Sequence, residues 1–508
     1  MDRRHFLQLA TVAGCGALSG CMRQTARVTA KIDRPNILFI LLDDMGWKDI
    51  GCAGSTYYDT PHIDKLASEG MRFLNAYSAA SVCTPSRGAI FSGKCPARTQ
   101  LTTVFNGPAG PDDRLYDRSK YRGEKDQYFE ARHRHALPST EVILAQALAD
   151  GGYKTGFFGK WHCGECPDYY PEDRGFHVAK GYRRVHGLKY GHFGDRWPKG
   201  NFANLPDPKP KDFIADILTD ECIDFMKGNR DRPFLAVLSH YIVHAPITPK
   251  HEKVAKYRRR KATDQNNPDY AALIENADDS VGRLLEAVAK MGLEQNTLVI
   301  FTSDNGGYTP KVTSNYPLMG GKSFPFEAGM KVPFIVKWPE KVKPGTSEER
   351  IVGMDIYPTM LSAAVLPPRP EQHVDGLDLM PLLTQGATLR RRAILFHYPH
   401  YTHATGPFSA IIEDDWKLIR FYNDKHGRYL LYNLTADPQE QNNLAAANAK
   451  MRDRLSNRLD ILLKEMKAEM PTMNPDFKPD DKGRRFHLKF TKDLAEKERD
   501  IFESRLEQ

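Results

Sequence analysis

Residues 36–44 read NILFILLDD. Six apolar residues, Ile37 to Leu42, follow one another without the polar alternation of a half-exposed strand. Such a run is too short for a helix and suits a strand buried on both faces of a parallel sheet. Working outward, YKTGFFG (153–159), PFLAVLSHYI (233–242), TLVIFTSD (297–304) and VPFIVKW (332–338) are further strands of this kind. Helical stretches lie between them. TPHIDKLASEG (60–70) opens with a Thr60 cap and Pro61 at the first helical position and ends at Gly70. TEVILAQALADGG (140–152) and DDSVGRLLEAVAKMG (278–292) also lead into strands. Strands alternating with helices predict a doubly wound, mostly parallel α/β domain over residues 35–385.

From 386 to 470 the pattern changes. RAILFHYPHY (392–401), SAIIEDDWKLIRFY (409–422) and RYLLYNL (428–434) read as successive strands with short turns at Asn423-Asp424 and His426-Gly427, followed by a helix over about 439–467. This predicts a small antiparallel sheet with a packing helix. Residues 102–136 read as a loop insertion and 471–508 as a charged peripheral tail.

The first 21 residues, MDRRHFLQLATVAGCGALSGC, place two arginines before a short apolar run that ends in small residues. That is a targeting segment. Its apolar stretch falls short of the roughly 20 residues that span a bilayer. Leu18-Ser19-Gly20-Cys21 resembles a bacterial lipobox, which would leave Cys21 lipidated, and Arg3-Arg4-His5-Phe6-Leu7 resembles a twin-arginine export signal. A plain secretory signal is the other reading. Either predicts an exported protein, in the bacterial periplasm or at the cell surface, with residues 22–34 as a linker.

The formal charge is +8, with basic runs at Arg258-Arg259-Arg260-Lys261 and Arg391-Arg392. These are a solvated face or an attraction for polyanions. No nucleic-acid motif is present, so no nucleic-acid partner is expected. Of eight cysteines, six lie beyond the export segment, too few for a disulfide scaffold. Cys163-Gly164-Glu165-Cys166 is a local disulfide or a pair of free thiols.

In open parallel sheets, ligands bind beyond the carboxyl ends of the strands. There Asp43-Asp44 end one strand and Asp304-Asn305 another. Either pair alone reads equally as a turn or a helix cap. Together they offer hard oxygen donors suited to Ca²⁺ or Mg²⁺ and poorly suited to zinc. Lys160 and His162 follow the FFG strand, His244 follows LAVLSHYI, and Lys322 lies in MGGKSFPFEAG before VPFIVKW. Cations and imidazoles around a hard metal make an anion site.

With these pieces in place, the chain resembles the type I, formylglycine-dependent sulfatases of the alkaline phosphatase superfamily. The resemblance runs from Pro35 to about residue 445 and is strongest at Cys83-Thr84-Pro85-Ser86-Arg87, which matches the family signature C-x-P-S-R. Phe91-Ser92-Gly93-Lys94 stands where the family usually has a leucine-threonine-glycine run. PNILFILLDDMGW, TPHIDKLASEG, GKWH, HAP, TSDNGG and the GGK before a VP strand occur in the family's order.

The resemblance implies an alkaline phosphatase-like fold and a sulfuric ester hydrolase. It implies that a formylglycine-generating enzyme oxidises Cys83 to Cα-formylglycine (3-oxoalanine), whose hydrate attacks sulfur with one hydroxyl and expels sulfate with the other. One Ca²⁺ would be bound by Asp43, Asp44, Asp304 and Asn305 together with residue 83. Arg87 would orient the hydrate, Lys160 and Lys322 would bind sulfate oxygens, and His162 would take the proton of the second hydroxyl. His244, preferred over His240 because of the adjoining Ala-Pro, would protonate the departing sugar oxygen. The N-terminus of the helix after Cys83 would add partial positive charge.

A sulfated carbohydrate is the expected substrate. Its pocket is expected from Arg174, the 186–192 region and LFHYPHYTH (395–403), with His397, His400 and His403 and Tyr398 and Tyr401 reading hydroxyls. The resemblance of the HYPHY stretch favours galactose or N-acetylgalactosamine 4-sulfate. Two alternatives stand beside this reading: a phosphonate monoester or phosphodiester hydrolase sharing C-x-P-S-R and the metal site, and a non-catalytic surface glycan-binding lipoprotein.

Overall fold

The computed structural model describes residues 34–104, 114–117, 127–183, 202–308, 312–402, 405–422 and 429–477. The export segment with Cys21, the 186–192 region, His403, the 423–428 turns and the tail from 478 lie outside the described residues. Among the described residues, no helix is long and apolar enough to cross a membrane.

In chain order the first strands are β1 (Asn36–Leu42), β2 (Met71–Tyr77), β3 (Tyr128–Phe129), β4 (Lys154–Gly159), β5 (Val178–Lys180) and β6 (Phe234–Ser239). They are followed by β7 (Thr297–Ser303), β8 (Phe334–Lys337) and β9 (Gly345–Val352). The smaller sheet contains β10 (Ile394–Tyr398), β11 (Phe408–Glu413), β12 (Trp416–Phe421) and β13 (Tyr429–Asn433), and β14 (Thr472–Met473) pairs with β3.

The main sheet has the order β5-β4-β6-β1-β7-β8-β2-β9. It is parallel except for β8, which runs antiparallel to both β7 and β2. The continuous apolar run of β1 has a simple cause. Leu38, Ile40 and Leu42 enter one core with the helices Ile214–Gly228 and Pro268–Lys290. Ile37, Phe39 and Leu41 enter a second with Leu144–Asp150 and Ile356–Ala363. Both faces of the strand are covered, so neither set can be polar.

Register then places the site. Leu42 of β1 pairs with Ser303 of β7, Leu41 with Ser239 of β6, and Ser239 with Gly159 of β4. Four strands therefore finish at one level. Gly159 is required there: its φ is +114° and a Cβ would stand 1.9 Å from the Ser239 carbonyl oxygen.

Three local expectations are corrected. SAIIEDDWKLIRFY forms two strands, β11 and β12, because Asp414 turns left-handed at φ 51° and reverses the chain. The C-terminal helix begins at Ala449, where the Asn448 side chain accepts from the Met451 amide. Thr60 precedes the helix Pro61–Ser68 but makes no side-chain cap; its hydroxyl donates to Asp64 and accepts from the Gly51 amide. Cys163 and Cys166, read as a local disulfide or a pair of thiols, are not joined by a disulfide.

The antiparallel sheet packs with the helix Ala449–Glu465 around a third apolar cluster that also takes in Phe324, Phe326 and Met330. Buried Lys417 of β12 binds Glu327 at 3.0 Å and Glu440 at 2.8 Å, and the Tyr77 hydroxyl donates to Glu327 at 2.8 Å. Replacing Lys417 with methionine strands two buried carboxylates. Lys417→Met should lower the unfolding free energy by about 3–5 kcal/mol. An unchanged urea midpoint would show that this network does not anchor the smaller sheet.

Candidate active site

The matched ends of β1 and β7 set Asp43 and Asp44 beside Asp304 and Asn305, all fully buried. Asp44 adopts φ 65°, a left-handed turn that Asp tolerates better than most residues. Its amide donates to Asp304 Oδ1 at 3.2 Å, and Asn305 Nδ2 donates to Asp44 Oδ1 at 2.8 Å. Gly306 lets this loop close on the chain that follows Lys322, because a Cβ there would meet the Ala328 carbonyl oxygen at 1.9 Å.

Cys83 is the first residue of the buried helix Cys83–Ser92, and Val82 before it supplies no side-chain cap. The first amides of that helix are therefore left for whatever lies ahead of it. Cys83 Sγ is 3.5 Å from Asp43 Oδ1, 3.8 Å from Asp44 Oδ1 and 3.5 Å from Lys322 Nζ. Arg87 lies one turn on, on the same helix face. Its Nε donates to Asp304 Oδ2 at 2.7 Å, and its Nη1 to the Lys160 carbonyl at 2.8 Å and Ser239 Oγ at 2.6 Å. Lys160 Nζ binds Asp43 at 2.7 Å and Lys322 Nζ binds Asp44 at 2.7 Å. Each carboxylate thus has a cationic side chain at 2.7 Å, and Asp43 has a second, Arg87 Nη2, at 3.8 Å.

Burial acts to raise Asp44 and Asp304, but Lys322 and Arg87 respectively lead the charges that outweigh it and hold both below the usual carboxylate range. Asp43 goes the other way. Burial, aided by Asp304 and Asp44 against Lys160 and Arg87, pushes it up to about 7. The Cys83 thiol is driven well above its ordinary value, first by burial and then by Asp304.

These donors fit a hard cation. Carboxylate oxygens of Asp43, Asp44 and Asp304 and the sulfur of Cys83 all lie within 4.8 Å of one another. Asn305 Oδ1 is buried without a hydrogen-bond partner, although its amide nitrogen has two. An orphaned amide oxygen among three carboxylates is a donor set for Ca²⁺ or Mg²⁺.

His244 Nε2 stands 3.6 Å from Asp44 Oδ2, while its Nδ1 lies 2.6 Å from the Ala245 carbonyl oxygen, a contact that places the proton on Nδ1 in the neutral ring. Burial, then Lys322, lowers its pKa to about 3 against the pull of Asp44. His240 is distinguished from it by position: fully buried, with Nε2 2.7 Å from Ser280 Oγ. His162 follows Lys160 and Trp161 on the turn after β4, at φ 61°.

Three expected pocket residues are placed elsewhere. Arg174 is buried and donates to the backbone carbonyls of Leu137, Pro138 and Glu141, which makes it a brace for that loop. His397 lies between Ser409 Oγ and the Glu469 carbonyl inside the smaller sheet's core, and burial lowers its pKa to about 4. His400 is buried, with Nε2 2.7 Å from Thr102 Oγ1 and Nδ1 3.8 Å from Glu130. The HYPHY stretch thus builds interior contacts rather than an open wall. Two residues went unmarked in the sequence: Ser239, which bridges Arg87 and the Lys160 carbonyl, and Tyr308, which adjoins His244 and Lys322. Ser239 carried a usable signal, being a polar residue at the end of a buried strand.

The Sulfatase family profile matches residues 35–366, and a second profile, described as N-sulphoglucosamine sulphohydrolase, C-terminal, matches residues 319–469. N-acetylgalactosamine-6-sulfatase of Mus musculus is 30% identical over 66% of this chain, and the chain spans 63% of that relative's length. N-acetylgalactosamine-6-O-sulfatase of Bacteroides thetaiotaomicron is 27% identical, with 89% of this chain and 98% of that protein covered. The crystal structure of Ps i-CgsB, a protein also solved in complex with k-i-k-neocarrahexaose, superposes with a TM-score of 0.72 at 25% identity, covering 92% of this chain and 99% of that one. With a buried C-x-P-S-R helix facing paired strand-end carboxylates, and a family match across well over half its length, this chain belongs to the sulfatase family.

Proposed function

We propose that this protein hydrolyses a sulfate ester on a carbohydrate, using residue 83 after its conversion to formylglycine. The observation that carries the reading is the convergence on Cys83 of three carboxylates and the Lys322 ammonium in one buried site. Family membership supports the reaction class. The named relatives support the substrate class: two act on N-acetylgalactosamine 6-sulfate by name, and the third holds a neocarrahexaose. We therefore place the scissile ester on a galactose or N-acetylgalactosamine unit, and the 6-position has more support than the 4-position suggested by the HYPHY stretch.

Asp43, Asp44, Asp304 and Asn305 would hold one Ca²⁺, which when bound polarises the sulfuryl group and acidifies a neighbouring hydroxyl. Residue 83 as the hydrated aldehyde supplies two hydroxyls on one carbon, one to form the sulfate ester and one whose ionisation expels sulfate. The remaining work falls to side chains in view. Lys322, already within 3.5 Å of Sγ, and Lys160 bind sulfate oxygens and steady the charge that builds on them. Arg87 sets Asp304 and the Lys160 backbone in place and neutralises the site from beneath. His162 accepts the proton of the second hydroxyl. His244 presents Nε2 toward the site and, once an anionic sulfate offsets the field of Lys322, carries the proton to the leaving oxygen.

Export through residues 1–21, a lipid on Cys21 and maturation by a formylglycine-generating enzyme belong to the same proposal, supported by the sequence resemblances alone.

Protein purified from a host with the maturation enzyme should show an aldehyde at residue 83 by peptide mass spectrometry. Cys83→Ala should then cost about 10⁴-fold or more in turnover. Faster turnover of a phosphodiester than of any sulfate ester would transfer the protein to the phosphonate monoester and phosphodiester class, and a wholly unmodified cysteine in the native host would favour the glycan-binding reading. Chelation should abolish activity and added Ca²⁺ restore it. By calorimetry, Asp304→Asn should weaken Ca²⁺ binding by at least about 10-fold; unchanged affinity would remove Asp304 from the metal site.

A further inference from the structure

We propose that Tyr308 is a positioning residue for the general acid, fixing His244 through Ala245, the residue that follows it. The inference rests on the reading of His244 as that acid. Tyr308 comes three residues after Asn305, on the loop that leaves β7. Its hydroxyl oxygen accepts the Ala245 amide at 2.6 Å. The carbonyl of the same residue, Ala245, accepts from His244 Nδ1 at 2.6 Å. Ala245 is thus held from both sides. Its amide is tied to the metal-strand loop and its carbonyl orients the imidazole, which leaves Nε2 as the nitrogen facing Asp44.

The ring does further positioning. Its centroid is 5.8 Å from that of His244, at 66° between planes, an edge contact that limits rocking of the imidazole. Lys322 Nζ stands 5.5 Å from the same ring, within the range of a cation–π contact, while the Lys322 amide donates to the Gly307 carbonyl at 2.7 Å. One aromatic side chain therefore ties the acid loop, the sulfate-binding lysine and the metal-ligand loop together. A tyrosine suits this because it freezes few torsions while offering both a face and a polar tip.

A merely structural tyrosine and a positioning one differ in what they do to leaving groups. A sugar oxygen departs as a poor leaving group and needs His244; 4-nitrophenolate departs unaided. Tyr308→Phe keeps the ring and loses the hydroxyl. It should lower kcat on a sulfated N-acetylgalactosamine by about 10-fold while changing kcat on 4-nitrophenyl sulfate by less than about 3-fold and leaving KM and calorimetric Ca²⁺ affinity in place. Tyr308→Leu, which also removes the face under Lys322, should raise KM on both substrates. His244→Ala is the reference: it should lose about 10²–10⁴-fold on the sugar and far less on the aryl sulfate. Equal losses by Tyr308→Phe on both substrates, or none on the sugar, would overturn the inference while leaving His244 intact. If His244→Ala itself fails to separate the two leaving groups, the acid assignment falls and the role of Tyr308 falls with it.

Discussion

Three carboxylates whose oxygens lie within 4.8 Å of one another, all out of water, repel strongly. Two unit charges about 4 Å apart interact by about 4 kcal/mol at an effective dielectric constant of 20. Asp43, Asp44 and Asp304 are forced together because β1 and β7 are parallel neighbours in a register that ends them at the same level. The fold offsets that repulsion with one cation for each acid, drawn from three separate elements: Lys160 after β4, Arg87 on the helix and Lys322 on the long loop before β8. The site is thus a charge-balanced cluster whose members cannot be moved independently. Removing one leaves a buried charge of the other sign.

That dependence links the smaller sheet to the site through the loop that carries Lys322. Lys322 lies on a loop with little regular structure of its own. Ser323 beside it donates its amide to the Ser81 carbonyl and accepts from the Thr405 hydroxyl at its own carbonyl. Five residues on from Lys322, Glu327 takes Lys417 of β12, and its amide donates to Glu440. Burial penalises each of these ions and only the partner compensates, so the loop has one arrangement in which all are satisfied. The apolar cluster around Phe324 and Phe326 fills the space between these anchors.

How much could be read without coordinates follows from the range of the forces involved. The core strands were legible because double-faced burial leaves an unbroken apolar run, and the candidate ligands Asp43, Asp44, Asp304 and Asn305 were legible because they sit at the ends of such runs. β2 and β9 were not: the edge strand β9 buries only Ile351 and Val352, and β2 beside it buries only Phe73, Ala76 and Tyr77, so neither gives a run. The Asp414 turn hid because Glu413-Asp414-Asp415 reads as polar strand rather than as a reversal. Arg174, His397 and His400 illustrate a deeper limit. Residue type says that a guanidinium or imidazole can bind a sugar, but whether it is spent on a backbone carbonyl or on Ser409 is decided by chain segments far away in sequence. Tyr308 was invisible for the complementary reason, since its partners Ala245 and Lys322 are brought to it only by the crossing of two loops.

The same charge pattern bears on why a cysteine would be converted rather than used as it stands. A thiol is nucleophilic as thiolate, and nucleophilic cysteines sit where cations or helix ends lower the pKa. Here a helix N-terminus and two lysines are present, yet burial and Asp304 carry the thiol well above its ordinary value. The carboxylates that suit a metal add to the burial that disfavours a thiolate. A site of this kind would accept a neutral hydroxyl and ionise it only as negative charge passes to the incoming ester, where Lys160, Lys322 and a cation held by the carboxylates would offset it. Anion binding by cations and a neutral nucleophile are therefore one requirement, and residue 83 would meet it as a hydrated aldehyde in a way that a buried sulfur beside Asp43 and Asp44 does not.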